Sequence, residues 1–278
     1  LPKAPTEQEW DWEIGKDFAE VIGPLPVEEA RNATAAMQKA GLGPPALVGV
    51  ANALYRAGFS EQAFQIASAL ADRPPSPRAG PPLILRAYMY LKKWKGEESA
   101  LTWIRSTPFA NAGGSVAQLV YHYGAYGLLW DLLPEPPPGA SADNFWLQRT
   151  ASLLLDPKLA TAQRENVAHE RYRGNGQSHY HELGKFLIGQ LDEHAVAKLV
   201  TDPEKACEVS YYMGLKAETE NHLQDATAWY RNAVESANPR WAEYQWAYAS
   251  LQRLQSSGKT LRRLEAERIS SVAAATKD

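Results

Sequence analysis

The sequence predicts an all-α fold, a right-handed α-solenoid of antiparallel helix hairpins, and three observations carry that expectation. Apolar residues recur at helical spacing along most of the chain, with little of the alternation that marks strands. Small residues return at a near-constant period in three segments, as close approach of paired helices requires. Prolines and Asx residues stand between the periodic stretches, where helices end and begin.

The chain opens with LPKAP and no initiator Met, from which a removed leader or anchor is expected. Helices are expected at 7–21 and 27–40; the first carries Trp10 and Trp12 in an acidic stretch, as docking or core residues. A helix pair follows over 44–75, with Ala51 and Ala63 at small slots, Gly58 at the turn and Pro75 ending it. A degenerate copy over 81–108 keeps Leu91, Ala100 and Ile104 but puts Tyr88 and Lys95 where a small residue and a turn glycine are usual. Ala63 and Ala100 stand 37 residues apart, and the proline-rich loop RPPSPRAG absorbs the excess over a period of about 34.

Helices at 115–132 and 142–155 flank 134-PEPPPGASAD-143, the strongest interruption. A domain organisation of 1–133, a linker at 134–143 and 144–278 is expected from it. Further helices are expected at 158–173, 179–190 and 192–200, then Asp202-Pro203 reads as an N-cap followed by proline at the first helical position. The clearest unit is 207-CEVSYYMGLKAETENHLQDATAWYRNAVESANP-239, with Gly214, Ala226 and Ala233 at small slots and Met213, Leu223 and Tyr230 at large ones. That register resembles the tetratricopeptide repeat, in which small residues let two helices meet and an aromatic fills the groove between hairpins. Helices at 240–256 and 259–274 complete an array of about 14 to 16 helices.

Three stretches, 184-GKFLIGQLDEHAVAKLV-200, 208-EVSYYMGLKAETENHLQDATAWYRNAVES-236 and 243-EYQWAYASL-251, together resemble the C-terminal half of the new lipoprotein I family of bacterial envelope adaptors. There a short helix ending in glycine leads to a second short helix, then a repeat with acidic and aromatic residues before its glycine. A Glu-x-x-x-Ala helix closes the array, as Glu243 and Ala247 do here. The resemblance implies a periplasmic or envelope-associated scaffold that brings a protease or hydrolase to its substrate, often as a homodimer; a cytoplasmic location is the alternative.

The composition is that of a globular chain, 45% hydrophobic and 22% charged, and a net charge of -3 gives no global field for nucleic acid. No apolar run approaches the roughly 20 residues of a membrane-spanning helix. The single cysteine, Cys207, excludes an intramolecular disulfide framework and reads as a packing residue. GxGxxG, Walker, GxSxG and CxxC patterns are absent, so no enzyme activity and no cofactor is expected. The densest polar segment, 169-HERYRGNGQSHYHE-182, offers His169, His179 and His181 as an alternative metal-dependent centre. His179 and His181 are two apart, however, which on a helix points them to different faces, and HExxH order is missing.

Repeat arrays of this type take ligands on the concave face, lined by the first helix of each hairpin. The inward slots there hold Asn52, Tyr55 and Arg56, then Met89, Lys92 and Lys93, then Tyr211, Leu215 and Glu218. Mixed polar, cationic and aromatic character suits an extended peptide or protein segment as partner. A structural subunit of a larger assembly, joined through 259-KTLRRLEAERI-269, is a further alternative.

Overall fold

A computed structural model describes residues 43–74, 79–111, 116–174, 176, 178–235, 238–239 and 241–255, with 26, 29, 32, 33 and 36 before them. Every regular element among the described residues is helical. Expected helices 7–21 and 259–274, together with Trp10, Trp12 and Pro75, lie outside them, and of 27–40 only 29, 32, 33 and 36 are described. The chain divides into two compact units, residues 1–134 and 135–278.

In the first unit, α1 (Pro44–Arg56) opens on a proline, whose missing N–H falls where helices have no partner for one. It pairs with α2 (Ser60–Asp72), and α3 (Gly80–Lys95) packs on α2. Leu47, Val50, Ala51 and Leu54 meet Ala63, Ile66, Ala67 and Leu70, and Leu83, Ala87 and Tyr90 close the layer. Ala51 and Ala63 are thus buried where the helices approach.

The second copy solves its turn differently from the expected pattern. Gly96, one residue after Lys95, takes φ 89°, the left-handed region that glycine enters without Cβ strain. It joins α3 to α4 (Glu97–Arg105), and the Tyr88 hydroxyl, buried in place of a small side chain, donates to Glu97. The expected helix 115–132 is two short ones, α5 (Ala117–His122) and α6 (Gly127–Asp131). Gly124 at φ 67° breaks the run between them.

In the second unit, α7 (Ala140–Leu155) starts inside the 134–143 stretch and packs against α8 (Ala162–Tyr172) and α9 (His179–Leu187). Thr161, Ser178, Asp192 and Asp202 each accept a backbone N–H at the start of α8, α9, α10 (Glu193–Ala197) and α11 (Pro203–Thr219). The last of these is the N-cap followed by proline that the sequence predicts. α11 pairs with α12 (Leu223–Glu235), where the Tyr230 ring fills the space above Gly214: a Cβ there would lie 2.7 Å from Tyr230 Cδ1. Ala226 and Ala233 are fully buried in the same contact. The last described helix, α13 (242–255), lays Trp246 against Tyr211, ring centroids 5.4 Å apart.

Candidate functional site

The first unit gathers a polar and aromatic face from α1, α3 and α5. Helical spacing puts Arg86, Met89, Tyr90 and Lys93 along one stripe of α3. Asn52 and Tyr55 stand opposite on α1, and the ring of Tyr55 lies 4.6 Å from that of Tyr90. Asn52 Oδ1 accepts from Arg86 Nη1 at 2.6 Å and from the Tyr90 hydroxyl. Lys93 Nζ sits 4.6 Å from the centre of the Tyr55 ring, and the Arg86 guanidinium 5.4 Å from that of Tyr123, next after α5. Burial pushes the Tyr90 hydroxyl up to about 12, so it remains a donor.

Of the sequence-predicted site residues, Asn52, Tyr55, Met89 and Lys93 come together here. Met89 is half-buried against the core, Arg56 is exposed at the end of α1, and Lys92 pairs with Glu97. The three from α11 fall in the second unit and serve packing. Tyr211 and Leu215 are buried, so the expectation that they face a ligand does not fit this arrangement. Glu218 accepts from the Tyr230 hydroxyl at 2.8 Å and from both Arg253 terminal nitrogens, tying α11 to α12 and α13. The sequence reading missed Arg86, Tyr90 and Tyr123. Arg86 and Tyr90 lie three residues before and one after Met89, on the stripe that spacing alone identifies.

The second unit holds a buried ionic cluster. Glu208, 3% exposed, lies 2.7 Å from His179 Nε2 and 2.7 Å from Lys205 Nζ, and accepts from the Tyr180 hydroxyl at 3.2 Å. Burial pushes its carboxyl up, but His179 and Lys205 outweigh that and hold it below its ordinary value. Buried Glu243 is raised to about 7, by burial first and also by the charges of Glu208 and Glu204. Cys207 is buried at the edge of this cluster, and burial pushes its thiol up to about 12, far from a reactive thiolate.

The three histidines of the metal-dependent alternative do not converge. His179 meets Glu208, whereas His181 is buried with Nε2 3.2 Å from the Gly174 carbonyl and its ring against Tyr172. His169 lines a separate cleft of about 420 Å³ with Leu153, Leu187 and Ile188. Among the described residues no group of three or more His, Cys, Asp or Glu side chains is placed to hold a metal ion, and no helix is long and apolar enough to cross a membrane.

No family model matches the chain, and no curated protein matches it in sequence. What fold and site define together is a protein of two compact units, helical in every regular element among its described residues, the first unit carrying an aromatic and cationic face.

Proposed function

We propose that the chain is a non-catalytic protein-binding scaffold or adaptor, a solenoid of tetratricopeptide-like hairpins whose first helices take an extended segment of another protein. The observation that carries this reading is the α1–α3–α5 face. Tyr55 and Tyr123 present half-buried ring surface at low entropic cost, and Asn52 has an amide left to donate. Burial of Ala51, Ala63, Gly214, Ala226 and Ala233 at helix contacts supports the repeat architecture. On the resemblance to envelope adaptors, the partner is a protease or other envelope enzyme, or its substrate, and the setting is the periplasm.

A photo-crosslinking residue placed at Tyr55 tests it against one at exposed Thr102 on α4. The expected outcome is a protein adduct from position 55, absent from 102 and lost when Tyr123→Ala is added. The same adducts from both positions, or none from 55, would sink the reading.

A further inference from the structure

Among the described residues several cations meet carboxylates: Lys92 meets Glu97, Arg171 meets Asp143, Lys205 meets Glu208 and Arg253 meets Glu218. Among the same residues Arg86 and Lys93 meet none. Among the described residues Arg86 is held by the Asn52 amide oxygen and the Tyr123 ring, and Lys93 by the Tyr55 ring. Neutral partners fix a cation in place without cancelling its charge. The two are seven positions apart along α3, about two helical turns, so they share a face and leave the backbone about 10.5 Å apart along the axis.

Resting on the scaffold reading, we propose that this face recognises an acidic segment in the polyproline II conformation, with two carboxylates three residues apart. That helix has three residues per turn and rises about 3.1 Å per residue, so positions i and i+3 point the same way about 9.3 Å apart. An extended strand places same-side carboxylates about 6.7 or 13 Å apart, a poorer match to the two cations. An acidic α-helix with carboxylates seven residues apart matches the spacing but has its own backbone bonds satisfied. It leaves the Asn52 N–H donors without a use. A polyproline II backbone is unpaired, and its carbonyls are acceptors for the Asn52 N–H donors, which meet none among the described residues. The intervening residues, prolines in the best ligand, lie on the Tyr55 and Tyr123 rings, as such segments do on aromatic grooves.

Fluorescence anisotropy with the full chain tests this, using labelled peptides centred on Glu-Pro-Pro-Glu, Glu-Pro-Glu and Gln-Pro-Pro-Gln, and an alanine-rich helix with glutamates seven apart. Glu-Pro-Pro-Glu is expected to bind about tenfold or more tighter than the others, and Arg86→Gln and Lys93→Gln each to weaken it about tenfold. Lys93→Glu is expected to restore binding to a peptide in which one glutamate is lysine, a readout that a misfolded variant cannot give. Equal binding of Glu-Pro-Pro-Glu and Gln-Pro-Pro-Gln, or preference for the helix, overturns the proposal. If position 55 still captures a partner when Glu-Pro-Pro-Glu fails to bind, the acidic ligand is wrong and the scaffold reading stands; if neither occurs, both fall.

Discussion

Glu243 is 7% exposed and shares its surroundings with Glu208, Glu204 and Lys205. Burial raises its carboxyl from the ordinary 4.5 to about 7, so between those values the folded state holds more protons than the unfolded one. Stability therefore falls as pH rises through that window and stays lower above it, by at most about 3 kcal/mol. Glu243→Gln is expected to remove this fall: melting temperatures of the two proteins converge near pH 5, and the variant melts higher at pH 8. Parallel curves across that range would show that Glu243 does not titrate there. A second residue makes the same point about burial. The Tyr212 hydroxyl is buried with no hydrogen-bond partner among the described residues, and burial holds it protonated. Removing an unsatisfied group relieves its desolvation cost, so Tyr212→Phe is expected to stabilise the protein by about 1 kcal/mol in urea unfolding. A loss of stability would mean the hydroxyl has a partner, such as a water.

Between elements, the tightest constraint is the crossing of α8 and α9. A Cβ on Gly184 would fall 2.1 Å from Cε1 of Tyr172, a residue 1% exposed whose hydroxyl oxygen accepts from Thr150 Oγ1 at 3.3 Å. The ring has no room to yield, so Gly184→Ala is expected to cost about 3 kcal/mol, read as a lower urea midpoint. Contacts of this kind are what the sequence makes legible, because only a small residue permits them: Gly214, Ala226, Ala233, Ala51 and Ala63 were recognisable by their period alone. The split of 115–132 at Gly124 was not, since its apolar residues continue at helical spacing through the break. On the candidate face, register groups Asn52, Tyr55, Met89 and Lys93, which the structure brings together, whereas Tyr211 and Leu215 are buried. The same inward slots lie on α11, which is covered by α9 through the Tyr180–Glu208 bond, by α12 through Tyr230 and by α13 through Trp246. Periodicity marks the face of a helix; how many neighbours cover it is a property of the packed array.

For the whole molecule, the division into residues 1–134 and 135–278 has an energetic meaning that the helices alone do not give. Leu47, Leu54, Ile66 and Leu85 are buried in the first unit, and Leu147, Tyr172, Phe186 and Tyr230 in the second. Each set of buried side chains supplies its own hydrophobic stabilisation, so each unit is expected to open as its own cooperative block. Gly184→Ala then acts locally. Hydrogen exchange is expected to accelerate by about 100-fold across α7 to α12 in the variant, the rate equivalent of about 3 kcal/mol. Protection of α1 to α4 should stay as in the parent chain. If exchange in α1 to α4 rises in step with that in α9, the two units unfold together, and the free energy of one is then not separable from that of the other. Unchanged α1 to α4 protection beside a loosened α9 also gives a direct control for the proposed binding face. A Gly184→Ala chain should still bind Glu-Pro-Pro-Glu as tightly as the parent, because Arg86, Lys93, Asn52 and the tyrosines beside them all belong to the first unit.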